Sequence, residues 1–184
     1  MNTKRRPGLT VLLTLIAAAL AAVDQWCKIL AQRDLKGQGP KKAVSWLFEL
    51  RYAENTGAAF SMLENHTWIF MVLAGLVTVL LVMVLYRFSI KPDKQNRFTI
   101  LLVRLVSILV MAGGLGNLID RSVRGYVIDY INLTFMDFPI FNLADTFITV
   151  GVAILLLYLI FKRHAFEEME SVFEGKEKDS HDPA

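Results

Sequence analysis

The feature that most constrains this chain is the run 67–86, which contains no Asp, Glu, Lys or Arg. A helix rising about 1.5 Å per residue needs about twenty such residues to cross the roughly 30 Å hydrocarbon layer of a bilayer. Three other blocks have comparable length and few charges. Residues 9–31 carry Asp24 and Lys28, 98–119 carry Arg104, and 138–161 carry Asp145. Four such blocks in 184 residues predict one all-α integral membrane unit over 1–165, a bundle of four transmembrane helices. A charged tail follows over 166–184, with disorder expected at its end.

Orientation follows from where the basic residues stand. Lys4, Arg5 and Arg6 precede the first block, Arg87, Lys91, Lys94 and Arg97 separate the second from the third, and Lys162 and Arg163 follow the fourth. All of these fall on one side if the four blocks cross in alternation. The opposite loops are poorer: 120–140 holds only Arg121 and Arg124, and the basic residues of 32–66 are spread among acids. Both termini are therefore expected in the cytoplasm. The basic start and apolar run also have the shape of a cleaved signal peptide. Helical character continuing through Asp24 to Ala31 favours a retained helix.

Composition removes other classes. A net charge of +3 with no basic patch interleaved with aromatics gives no reason to expect nucleic acid. Cys27 is the single cysteine, so no intrachain disulfide forms, and His66, His164 and His181 lack metal spacing. The bulky and charged residues before Cys27 do not match a lipid-modified cysteine, which leaves a small side chain packed on a helix.

The carboxylates within the blocks share a depth. At about 1.5 Å per residue, Asp24 lies roughly 22 Å along its helix from Leu9, and Asp145 roughly 24 Å from Phe161. Asp120 lies about 24 Å beyond Arg104, which is expected to snorkel to the inner surface. Three helices running in alternating directions thus place acids at one level near the outer face. Between the first two blocks, Val44, Trp46, Phe48, Leu50 and Tyr52 alternate with other residues, the period of a half-exposed strand. Turn chemistry at Glu54-Asn55-Thr56-Gly57 follows, and 58–62 can return as a second strand. A small β element over 40–64 is expected on the outer side.

Asp24 and Lys28 are four apart on one helix and can pair, either as a structural neutralisation or as a brace or lipid contact at the site. Asn117, Asp120 and Arg121 share a face, with Arg121 expected to hold Asp120 ionised. Gly113, Gly114 and Gly116 suit close approach of a neighbouring backbone or a bound helix. Asp129 and Asp145 have no local cation, and Asn142 shares a helix face with Asp145. Brought together, the two acids would share a proton, one activating water while the other polarises a carbonyl. Intramembrane acids also serve ion or proton transport, and Asp and Asn oxygens can hold a metal; spacing alone leaves all three open.

Four blocks decide the resemblance: Asp24-Gln25-Trp26-Cys27-Lys28; Asn55-Thr56-Gly57-Ala58-Ala59-Phe60; 113–121 with Gly125-Tyr126-Val127-Ile128-Asp129-Tyr130; and Phe141-Asn142-Leu143-Ala144-Asp145. In this order, across 9–162, they resemble lipoprotein signal peptidase (signal peptidase II), a family of bacterial membrane aspartic peptidases. The resemblance implies Asp129 and Asp145 as catalytic dyad. It implies binding or support roles for Asp24, Lys28, Asn55, Gly57, Asn117, Asp120, Arg121 and Asn142. The implied substrate is a prolipoprotein bearing a diacylglyceryl cysteine, cut just before that cysteine at the outer face of the cytoplasmic membrane. No metal or cofactor is implied, membrane lipid is the surrounding partner, and the chain is expected to act as a monomer.

Overall fold

The computed structural model describes residues 6–44, 46–57, 67–90 and 96–161. In chain order the elements are α1 (Pro7–Leu35), β1 (Lys41–Val44), β2 (Phe48–Asn55), α2 (Thr67–Arg87), α3 (Arg97–Arg124), β3 (Val127–Leu133) and α4 (Leu143–Phe161). Helices α1, α3 and α4 are long and apolar enough to cross a membrane, while the apolar stretch of α2 spans Met71–Arg87. The expected tail, 166–184, and the possible second strand at 58–62 lie outside the described residues.

Helix α3 is the hub and packs against each of the other three helices. On α1 the buried positions are Thr10, Leu13, Ala17, Ala21, Asp24, Lys28, Ala31 and Leu35, a single stripe with steps of three and four. Its first half is small and apolar, and Leu13 and Ala17 join Leu85, Ile108, Met111 and Ala112 in a core shared with α2 and α3. Beyond Ala21 the stripe turns ionic at Asp24 and Lys28, then apolar again at Ala31 and Leu35, which pack with Ile128 and Tyr130. Val11, Leu12, Leu15 and Ile16 face outward, as do Leu73, Leu76, Leu80 and Met83 on α2. That apolar exterior suits hydrocarbon rather than water.

Small residues set how closely α3 approaches its neighbours. A Cβ on Gly113 would overlap the Ala144 carbonyl and the Ile148 side chain, and one on Gly116 would stand 2.5 Å from Asp24 Oδ2. Gly151 returns the arrangement from α4, against Val110 and Leu109. Gly114 faces open space. Of the three expected contact glycines, Gly113 and Gly116 are therefore packing positions and Gly114 is not.

Arg104 departs from expectation. Instead of snorkelling, it is buried and donates to the Phe88 carbonyl at 3.0 and 2.8 Å and to the Ile90 carbonyl at 2.6 Å. These carbonyls follow the end of α2, where no intrahelical partner is available. Arg6 N–H donates to Ser89 O at 2.9 Å, joining the start of α1 to the same turn.

The sheet has the antiparallel order β1-β2-β3. The single strand expected across 44–52 is broken by a turn at Trp46 and Leu47, so β1 and β2 form a hairpin. The third strand, β3, comes from the aromatic and β-branched segment carrying Asp129. Between Leu50 and Ala53 the β2–β3 register shifts, β2 advancing three residues while β3 advances two, from Ile131 to Asp129. Such a bulge exchanges the side-chain faces beyond it. Asn55, rather than Glu54, then lies diagonally beside Asp129, so that carboxylate meets an amide instead of a second acid. The isolated bridge between Ile131 and Phe141 folds the chain back, and α4 starts at Leu143 rather than at 138.

The packing makes a distinguishing prediction for the glycines. Gly113→Ala should cost about 1–3 kcal/mol through overpacking, lowering the unfolding midpoint in detergent. Gly114→Ala should leave the midpoint unchanged or raise it.

Candidate active site

Helices α1 and α3 meet at a wholly buried lysine. The ammonium of Lys28 has three N–H donors, and they go to Asp24 Oδ2, Asp120 Oδ2 and Asn117 Oδ1, each at 2.9 Å. Asp24 Oδ1 accepts the Ala144 N–H at 2.9 Å, at the start of α4. Asp120 accepts the Ile128 N–H at 3.2 Å through Oδ2, fixing β3, and its Oδ1 takes Gln25 Nε2 at 3.1 Å and the Arg124 guanidinium. The two acids and two cations balance, which is the condition for holding them out of water.

The partner of Asp120 is a correction. Arg121 was expected to hold it, but Lys28 and Arg124 do so. The i,i+4 spacing of Asp120 and Arg124 carried that signal, since adjacent helical residues point in different directions. Arg121 turns instead to the Gly57 carbonyl at 3.1 Å and lines the same cavity as Asp129 and Asp145. Gln25 was also missed. Its amide donates to the Gly116 carbonyl at 2.9 Å and accepts from Arg124, joining α1 to α3, yet an uncharged residue between Asp24 and Lys28 gives no such warning in sequence.

From Lys28 a chain of amides leads to the second pair of acids. Because Asn117 Oδ1 accepts from Lys28, its Nδ2 faces away and donates to Asp145 Oδ1 at 2.7 Å. Asn142 Nδ2 donates to the same Asn117 oxygen at 3.3 Å and to Asp129 Oδ1 at 2.6 Å. Asn55 Nδ2 supplies Asp129 Oδ2 at 2.9 Å, while its Oδ1 closes a turn by accepting the Gly57 N–H at 3.0 Å. Asn142 also starts α4. Its Oδ1 accepts the Asp145 N–H at 3.0 Å, and Asp145 Oδ2 accepts the Asn142 N–H at 3.2 Å, a reciprocal cap in which the carboxylate is an acid of the site.

Each oxygen of Asp129 and Asp145 thus receives an N–H donor, and both residues line one cavity of about 660 Å³. Asn55, Asn117 and Arg121 line its polar end, while Leu133, Phe138, Ile148 and Val150 supply apolar wall. Burial, and then the charge of Asp145, push the Asp129 carboxyl up from 3.8 to about 6, against the lowering effect of the Asn55 and Asn142 bonds. Two neighbouring carboxyls, one of which keeps its proton up to about pH 6, form an acid–base pair able to activate water and polarise a carbonyl. All ten residues expected for the site fall in this one network: eight support or line it, and Asp129 and Asp145 face the cavity.

The profile of the family described as Signal peptidase (SPase) II matches residues 16–161. A lipoprotein signal peptidase of Streptococcus thermophilus is 39% identical over 141 residues, covering 77% of this chain and 87% of that protein. One from Enterococcus faecalis is 36% identical over 163 residues, covering 87% and 94%. Among solved structures, a bacterial membrane enzyme determined in meso at 1.9 Å superposes with a TM-score of 0.69 at 27% identity, covering 88% of this chain and 99% of that one. A second, at 2.3 Å, gives 0.68 at 27% identity.

The cluster predicts unequal costs for removing charge. Lys28→Met leaves buried Asp24 without its cation and takes one of two from Asp120, and should cost about 3–5 kcal/mol, read as a large fall in thermal midpoint. Arg33→Gln breaks an exposed pair with Asp34 and should not move it measurably.

Proposed function

The chain belongs to the signal peptidase II family, and from that premise we propose that Asp129 and Asp145 are its catalytic dyad. As an aspartic peptidase of this family it removes signal peptides in lipoprotein maturation. The ion-transport alternative is set aside by that membership. The finer reading concerns substrate, topology and residues. Four helices cross the bacterial cytoplasmic membrane, both termini lie inside, and the site opens at the outer face. The 1–165 unit acts as a monomer, with 166–184 as a cytoplasmic tail. The substrate is a prolipoprotein whose diacylglyceryl cysteine follows the scissile bond.

The observation that carries the proposal is the pair of carboxyls from β3 and α4 facing one cavity, with Asp129 raised to about 6. Asp129 carries the proton and hydrogen-bonds to the carbonyl oxygen of the residue before the lipidated cysteine. Asp145, ionised and held by Asn117 and the Asn142 N–H, takes a proton from water as its oxygen attacks the carbonyl carbon. The developing oxyanion faces Asp129 and the Arg121 guanidinium. As the tetrahedral intermediate collapses, the C–N bond breaks, the proton gained by Asp145 passes to the leaving amine, and the dyad returns to one proton. Lys28, Asp24, Asp120 and Asn142 act at one remove by fixing these groups, while Asn55 and Gly57 hold the edge of the site.

Asp129→Asn and Asp145→Asn should each abolish cleavage of a diacylglyceryl-modified prolipoprotein while folding and inserting normally, with losses on the order of 10²–10⁴-fold or more. Near-normal turnover by either variant would falsify the dyad. The pH dependence has a definite sign. Since Asp129 must be protonated, kcat/KM should fall as pH rises through about 6. Asn55→Ala removes a donor that favours the ionised form, so it should move that limb to higher pH; an unmoved or downward-shifted limb counts against the assignment.

A further inference from the structure

Away from the dyad, the outer end of the sheet presents an apolar surface that the peptidase chemistry does not use. Trp46, at the tip of the β1–β2 hairpin, is 71% exposed, and Val44 beside it is exposed too. Phe135, Met136 and Phe138, in the loop after β3, are also exposed, with exposed Asp137 the one charged residue among them. These two segments are far apart in sequence but are fixed together, since Thr134 N–H donates to the Leu47 carbonyl at 3.1 Å and Phe48 pairs with Leu133. They form one surface, with Trp46 and Phe135 at its exposed extremes.

Three observations say what covers it. Phe138 also lines the cavity, together with Val150 of α4, which is itself exposed, so this surface is continuous with the outward-facing apolar side of a membrane-crossing helix. Its most exposed member is a tryptophan, a residue whose amphipathic ring is favoured at the boundary of hydrocarbon and water. Exposed Lys42 stands beside it on β1, placed as a cation that meets lipid phosphate when the apolar tip is immersed.

We propose that Val44 and Trp46 at the hairpin tip and Phe135, Met136 and Phe138 of the following loop form a lip at the outer-leaflet boundary, with these side chains among the upper acyl chains and Asp137 at headgroup level, bordering a lateral opening of the cavity between Phe138 and Val150. Its partner is bilayer lipid. This rests on the membrane topology proposed above. The lip holds the sheet, and with it Asp129, against the lipid surface, and it gives a substrate already in the bilayer an apolar path to the dyad that avoids water.

The test uses tryptophan as its own depth reporter. A Trp26→Phe, Trp68→Phe protein, with Trp46 its remaining tryptophan, is reconstituted without substrate in phosphatidylcholine–phosphatidylglycerol vesicles. Lipids brominated high on the acyl chain should quench Trp46 by at least about half, while aqueous iodide should have little effect. Quenching by iodide with no bromolipid effect overturns the proposal. Loss of iodide access without bromolipid quenching, growing as protein is crowded at fixed lipid, instead assigns the surface to a second copy of the chain and overturns it equally. If the tryptophan replacements impair folding, a nitroxide at Met136→Cys in a Cys27→Ser background gives the same reading from oxygen against nickel accessibility. Oxygen preference supports the lip; nickel preference rejects it. None of these readings needs catalysis, so a protein that cleaves substrate but keeps Trp46 in water rejects the lip alone, while quenching together with near-normal turnover of Asp129→Asn or Asp145→Asn leaves the lip and rejects the dyad.

Discussion

The structure depends on how a buried ammonium is satisfied. Lys28 sits with no solvent, and its three donors define where Asp24, Asp120 and Asn117 must be. Remove the cation and Asp24 is left buried without one while Asp120 keeps only Arg124, a much larger cost than the net stabilisation the pair provides when intact. The cluster therefore specifies one arrangement of α1 and α3 more than it adds stability. It also orients amides. With its oxygen committed to Lys28, Asn117 has only an N–H donor to turn toward Asp145, and Asn142, whose Nδ2 donates to that same oxygen, also presents a donor to Asp129. A charge without an expected role in the chemistry thus sets the polarity of the groups that face it.

The start of α4 shows how the fold delivers an acid. The first N–H groups of a helix have no intrahelical partners, and in a membrane protein they must find others. Ala144 finds Asp24 on α1, while Asp145 finds the side chain of Asn142 just before it. Asp145 answers by accepting the Asn142 N–H. The acid is held because it is part of the cap, and the cap lies at the site because α1 reaches it. Asp129 arrives by a different route, a strand whose neighbour carries a bulge that exchanges Glu54 for Asn55 at its side.

Much of this was legible in the sequence where physics acts locally. Apolar runs of bilayer length located the helices, and counting rise per residue placed Asp24, Asp120 and Asp145 at one level. The i,i+4 rule gave the Asp24–Lys28 pair. Failures came where the determining contact is distant or depends on register. Arg121 was assigned to Asp120 because both share a face with Asn117, although Arg121 reaches Gly57 and lines the cavity with the dyad. Arg104 was expected to reach water because nothing in its own segment shows that the carbonyls of Phe88 and Ile90 await it. The alternation through Tyr52 read as one strand because a tight turn at Trp46 and a bulge after Leu50 leave an apolar pattern nearly intact. Helix α4 starts later than its apolar run because Phe141 is used as a bridge partner by Ile131.

The cluster's pairing also bears on how the chain assembles. Asp24 with Lys28 and Asp120 with Arg124 are pairs made within single helices, before any helix meets another. Within each helix the pair carries its two charges at lower cost than either would bear alone in lipid, although α3 also holds Arg97, Arg104 and Arg121. Docking of α1 against α3 lets Lys28 add Asp120 and Asn117 to its partners. The spacing gives Asp24 and Asp120 each a cation on its own helix, and the packing of the two helices makes them share Lys28.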